Sequence, residues 1–465
     1  MTSAKSKTSS QIAGKTAAAG WIIAAASFGF MVVQLDVTIV NVALPAMSRD
    51  LGGGTAELQW VVDAYTLAFA VLLLSAGVLG DLFGARRVYL AGFGVFAMAS
   101  AACGLAPNAT VLIAARAVQG AAAALLVPNS LVVLNFATKH DDGLRARAVG
   151  IWTAASGMSI GIGPVVGGLL LTSFGWRSIF WVNLPLCLVG AALTLAFAPI
   201  APAHTRKRRL DLPGQALAIL ALLGLVGGVI EAGPLGLAHP LVIGAGLLFV
   251  VAGIGFVAVE HRSREPMLPL HFFGNTGFDA AVGFGVAVNL AYYGVLFVLA
   301  LYLQGAHGWS PLQAGLAILP LTLTFIVSNL ISGWLIGRFG SRFPMVIGGL
   351  IGAVGYVLLV TLNAKSSFAH MLPIFLLIPF GMGLGVPAMT TAILAGVDHA
   401  WSGTASAVLN AARQAAGAMG VAIFGALAAN GQAVRGLHAS GLVSAVLLII
   451  GAGLAWRWVA GKARS

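Results

Sequence analysis

The length of the apolar runs fixes what this chain can fold into. Residues 21 to 46 hold one charged side chain, Asp36, and runs of 18 to 26 apolar residues recur to the end of the sequence. At about 1.5 Å per residue such a run crosses a hydrocarbon core as an α-helix, whereas a barrel strand needs about ten residues and alternates polar with apolar. Inside lipid every backbone polar group needs an internal partner, which an isolated run of this length obtains only as a helix. Fourteen helices are expected, near 20 to 45, 59 to 80, 88 to 106, 110 to 134, 148 to 172, 178 to 199, 213 to 231, 240 to 259, 279 to 304, 312 to 337, 344 to 361, 369 to 391, 402 to 427 and 440 to 459. A chain that is 59% hydrophobic and 8% charged matches this all-α integral membrane class and no ordinary soluble domain.

The net charge of +12 does not point to nucleic acid, because that reading needs a basic face on a soluble module. Loop asymmetry accounts for it instead. The tails and the connections after even-numbered helices hold 19 of the 25 basic residues and the opposite loops hold four, which predicts that both termini are cytoplasmic. The polar start of the chain, with Lys5, Lys7 and Lys15, precedes a run too long for a signal peptide, so the N-terminus is expected to be retained. Cys103 and Cys187 lie in apolar runs and suggest buried small side chains rather than a disulfide framework. None of the nine histidines sits mid-helix beside a ligand partner, so neither a metal nor a cofactor is expected.

An internal repeat organises the helices. The second helix ends Gly77-Val78-Leu79-Gly80-Asp81-Leu82-Phe83-Gly84-Ala85-Arg86-Arg87, and the tenth ends Gly333-Trp334-Leu335-Ile336-Gly337-Arg338-Phe339-Gly340-Ser341-Arg342, with matches at an offset of 256 residues. Two six-helix bundles with two helices inserted between them give that offset, the parallel-repeat architecture of major facilitator transporters. The expected division is a tail over 1–19, a first bundle over 20–200, a linker with the extra helix pair over 201–265, a second bundle over 266–460 and a tail over 461–465. Arg206 to Arg209 read as a positive-inside anchor at the start of the inserted pair.

Four motifs carry a resemblance: Leu35-Asp36-Val37-Thr38 through Ala43-Leu44-Pro45, the loop from Gly77 to Arg87, Ala115-Arg116-Ala117-Val118-Gln119-Gly120, and the helix-five pattern Gly157, Gly161, Gly163, Pro164, Gly167, Gly168. On these residues, and less specifically on Asn410-Ala411-Ala412-Arg413-Gln414, the chain resembles the fourteen-helix drug:proton antiporter family of the major facilitator superfamily. The resemblance implies a multi-pass exporter of the bacterial cytoplasmic membrane, moving amphipathic drugs, antiseptics or antibiotics outward against protons by alternating access. It also implies that the loop with Gly77, Asp81, Gly84, Arg86 and Arg87 latches the inward side, and that the helix-five motif separates exporters from importers. The loop departs from the family's pattern at Leu82 and Ala85, where basic residues are frequent.

The residues themselves nominate the same places. A charge at membrane depth costs at least ~2.5 kcal/mol, so Asp36 and Arg116, at compatible depths, suggest a shared proton-coupling cavity. The bland alternative is a static ion pair that fixes helix packing. Asp63, near the outer side of helix two, is a further candidate for protonation or cation attraction. Asn41, Asn129, Asn289, Tyr292, Tyr293, Gln304 and Arg413 are candidates to line a substrate cavity, with interhelical hydrogen bonding as the competing role. Expected partners are small amphipathic or cationic substrates, protons and membrane lipids, not nucleic acid; a periplasmic adaptor is left open. A proton-coupled uptake symporter is the first alternative, and the helix-five pattern weighs against it. A membrane-embedded enzyme would need a nucleophile and base at one depth, and an ATP-driven pump would need a GxxxxGK[ST] loop; the sequence shows neither.

Overall fold

The computed structural model describes residues 2–52, 54–138, 142–199, 211–263, 266, 268, 270–397, 402–429 and 432–461. Among them the chain is helical and contains no strand. The helices are α1 (Thr2–Leu51), α2 (Thr55–Phe83), α3 (Ala85–Gly104), α4 (Ala109–Ala137), α5 (Asp142–Phe174), α6 (Ser178–Trp181), α7 (Asn183–Phe197), α8 (Leu212–Leu235), α9 (Pro240–Arg262), α10 (Thr276–Leu301), α11 (Pro311–Phe339), α12 (Arg342–Leu358), α13 (Phe368–Ala395), α14 (Ser402–Leu427) and α15 (Ala433–Trp458). Among the described residues thirteen segments are long and apolar enough to cross a membrane. α14 is not among them, yet it packs along α10 and α2 as a full-length helix. Arg206 to Arg209 and Lys139 lie outside the described residues.

Several helix boundaries follow from capping chemistry. Asn108 caps α4 by accepting from the Val111 amide at 2.9 Å, and Ser310 with Gln313 forms a reciprocal capping box at α11, where Pro311 takes the first position. Other boundaries differ from expectation. α1 begins at Thr2 and continues through Pro45 to Leu51, so the helix extends beyond the expected run at both ends. The sixth expected helix is α6 and α7 joined through Val182, whose backbone stays helical, so together they form one span over Ser178–Phe197. Hydropathy reports where the lipid is, and helices continue past it wherever the backbone can keep bonding.

α1 packs on α5, α4 and α7, α2 on α4, and α3 on α4 and α7; separately, α10 packs on α14 and α15, α12 on α13 and α15, and α11 on α13. These two sets meet along two seams, α5 against α11 and α2 against α14. We call outer the side on which α1 ends and α2 begins, the side loop charge assigns to the exterior. The inserted pair α8 and α9 pack on each other, and α8 covers the α2–α14 seam. Most of α9 is left facing outward with apolar side chains such as Leu241, Ile243, Val251 and Ile254.

The repeat seen in sequence reappears as equivalent contacts. Gly84, with φ of 88°, joins α2 directly to α3, and Gly340, with φ of 76°, makes the equivalent turn after α11; a left-handed backbone at these corners favours glycine. Arg86 Nη2 donates to the Leu195 carbonyl at 2.7 Å, at the end of α7. Its repeat mate Arg342 donates through Nε to the Val459 carbonyl at 2.6 Å, at the end of α15. Each arginine thus neutralises exposed carbonyls at the C-terminal end of the last helix of its half.

Candidate functional site

The polar centre of the first half is built on α1, α2, α3, α4 and α7. Asp36 is fully buried, and its Oδ2 accepts from Arg116 Nη1 at 2.5 Å. Its Oδ1 accepts from Gln119 Nε2 at 2.9 Å and from Asn183 Nδ2 at 2.8 Å. Ser100 Oγ accepts from the same two amides and donates to the Phe180 carbonyl at 2.9 Å. Arg116 is held on its other side: Nε donates to the Val61 carbonyl at 3.1 Å, Nη1 reaches Gln119 Oε1 at 2.8 Å, and the guanidinium lies 4.2 Å from the Tyr65 ring centre. A carboxylate with three donors, one of them a guanidinium, is stable as a buried ion, and removing either charge would strand the other.

Asp63 presents the opposite case. It is fully buried, and neither carboxylate oxygen has a hydrogen-bond partner. Four residues before it, Gln59 donates to the Val421 and Ala422 carbonyls of α14 at 3.1 and 2.7 Å; four residues after it, Leu67 packs with Ala418 and Ala422. Helical spacing places Asp63 on this same face, within the α2–α14 seam.

The remaining candidates divide by contact. Asn41 and Asn289 are buried and donate to Val37 and Gly285 of their own helices, while Asn129 joins α4 to α2 by donating to the Ala76 carbonyl at 3.1 Å. Gln304 crosses between the halves, donating to the Val42 carbonyl of α1 at 2.9 Å from a π-helical turn over residues 302 to 306. Tyr292 and Tyr293 lie ring to edge, 5.4 Å apart. Arg413 is half-buried, close to Gly285, and its Nε is buried without an acceptor. In the loop motif, Asp81 is in the last turn of α2, Arg87 is exposed, and a side chain at Gly77 would meet open space.

The helix-five motif serves two faces, and Gly161, Pro164 and Gly168, at spacings of three and four, share the one that meets α11. A Cβ at Gly161 would strike Thr322 of α11, one at Gly168 would strike the Pro311 and Leu312 backbone, and one at Gly315 would strike the Pro164 carbonyl. Gly163 and Gly167 instead face Thr38 and Ile39 of α1. Gly157, four residues before Gly161 on the same face, has nothing within 4 Å of a Cβ, because crossing helices diverge away from their point of closest approach. Gln119, Ser100 and Asn183 were not singled out from sequence. Gln119 had a usable signal, being three residues from Arg116 on one helical face; Ser100 and Asn183 had none.

Helical halves related by an internal repeat, meeting at two seams around a buried ion pair, define a multi-pass membrane transporter rather than an enzyme. The chain belongs to the Major Facilitator Superfamily, whose family model matches residues 26–421. It is 38% identical over 443 residues to the methylenomycin A resistance protein of Streptomyces coelicolor, covering 95% of this chain and 93% of that one. It is 37% identical over 408 residues to the multidrug resistance protein Stp of Mycobacterium tuberculosis, covering 87% and 75%. In fold it is similar to a peptide transporter POT crystallised with sulfate, at a TM-score of 0.70 and 15% identity over 94% of this chain and 95% of that one. These kinships make it a bacterial transporter of the efflux type.

Proposed function

We propose that the chain exports amphipathic antibiotics or antiseptics from the cytoplasm in exchange for protons, with α1–α7 and α10–α15 rocking about the two seams and Asp63 carrying the proton. The observation behind this reading is the contrast between two buried carboxylates. Asp36 is saturated with donors, whereas Asp63 has none in a seam that is shut. A buried carboxylate ion without a partner costs several kcal/mol, so closing the outer end of this seam favours the neutral acid. Asp63 then takes its proton while the outer side is open, the seam closes over it, and release follows once the inner side admits water. Asp36 and Arg116 keep the first half rigid while this happens. One proton entering across ~100 mV releases ~2.3 kcal/mol, and each pH unit adds about 1.4, enough to concentrate a neutral substrate roughly a hundredfold.

Everted bacterial membrane vesicles test the reading. Adding a transported compound should release protons from wild-type vesicles, and Asp63→Asn should abolish that release while leaving downhill substrate exchange. Proton release at the wild-type stoichiometry in Asp63→Asn would move the coupling site to Asp36.

A further inference from the structure

We propose that the second half recognises an anionic group, such as a carboxylate, on the transported amphiphile, with Arg413 as the residue that binds it. This rests on the exporter reading above and adds the charge of the substrate, which the sequence suggested would be neutral or cationic. Arg413 lies about 17 Å from the inner end of α14 and about 21 Å from its outer end, at mid-membrane depth. A guanidinium at that depth faces water or protein rather than lipid. Among the described residues no carboxylate lies within ion-pair distance of it, and its Nε finds no acceptor. Its own half is poor in acids: the sequence over residues 266 to 460 holds two, Asp279 in the first turn of α10 and Asp398, which lies outside the described residues.

The charges opposite do not change this balance. Asp36 and Arg116 cancel within their own network, and Asp63 is enclosed in the seam. Among the described residues Arg413 is therefore a mid-depth cation without a counter-ion, with the Tyr293 ring beside Gly417, one turn along the same helix. A guanidinium left with free donors suits the planar geometry of a carboxylate. Export of an anion against a proton also moves two charges in the favourable direction, so the membrane potential drives it as well as the pH gradient.

The test measures binding to the purified full chain in nanodiscs, using carboxyfluorescein and a rhodamine ester, which share a xanthene ring system and differ in the sign of their charge. Wild type should bind carboxyfluorescein more tightly than the ester. Arg413→Gln should weaken carboxyfluorescein about tenfold or more and leave the ester unchanged or improved, and Arg413→Lys should recover most of the loss. Preference of the wild type for the ester, no binding of carboxyfluorescein, or equal loss of both probes in Arg413→Gln would overturn the assignment. Because binding requires no gradient, anion binding without proton-coupled transport would sink the exporter reading and leave this one standing.

Discussion

The two seams between the halves occupy equivalent places in the repeat and are built from opposite materials. Along α5 and α11 glycine backbone meets backbone or a short side chain: Gly168 on the Pro311 and Leu312 backbone, Gly315 on the Pro164 backbone, Gly161 on the Thr322 side chain. Along α2 and α14 the contact is polar and then buried, with Gln59 bonding two carbonyls, Asp63 enclosed without a partner and α8 laid over the outside. The first seam has no titratable group at its point of contact and so depends on shape. The second encloses Asp63, the group we propose to couple closure to protonation. A transporter needs both, a fixed bearing and an element whose equilibrium an ion can bias.

The largest expected effect comes from spoiling the bearing. Gly168→Leu forces a side chain against the α11 backbone, and overpacking of about 1–3 kcal/mol held at one seam should cut efflux by tenfold to a hundredfold while membrane insertion, followed by expression and detergent extraction, stays near normal. Wild-type efflux in that variant would mean the seam is not a closing surface.

Next is the polar seam. Gln59→Ala removes two hydrogen bonds across the halves, each worth about 0.5–1.5 kcal/mol, and should shift the protein toward the outer-open state, read as faster labelling of a cysteine placed at Ala422. The pH response separates the seams further. With Asp63 as the proton carrier proposed above, the closed α2–α14 seam would bind one proton more than the open one, and lowering pH would favour closure. Crosslinking between Gln59→Cys and Ala422→Cys should therefore rise as pH falls, and Asp63→Asn should hold the yield at its acid value throughout. A yield independent of pH with Asp63 intact would make the two seams alike. The smallest effect belongs to the cover: Trp60 Nε1 donates to Glu231 at 3.0 Å, and Trp60→Phe should lower thermal stability by about 1 kcal/mol with little change in efflux.

α8 shows how the inserted pair fits this contrast. It is hydrogen-bonded to α2 at two heights, through Glu231 near the outer end and through Gln215, which donates to the Val71 carbonyl at 2.8 Å and pairs with Ser75. Against α14 it offers apolar contact, Val226 and Ile230 facing Ala418 and Ala422. Directional bonds on one side and smooth packing on the other allow α8 to stay with α2 while α14 slides beneath it.

By itself the sequence determined the features that depend on neighbours along the chain. Apolar run length set the helices, the 256-residue offset announced the repeated corners at Gly84 and Gly340, and the rarity of charge at depth picked out Asp36, Asp63, Arg116 and Arg413. Those signals are local because lipid imposes the same demand on every segment. Tertiary structure decided everything that depended on who stands opposite. Spacing grouped Gly161, Pro164 and Gly168 on one face but could not name α11 as the helix they meet, or α1 as the one that Gly163 and Gly167 meet. It could not show that Asn183, 147 residues away, completes the shell of Asp36, or that Asp63 is left without a donor. A carboxylate's character comes from its donors, and donors that arrive from other helices leave no mark on the segment that holds the acid.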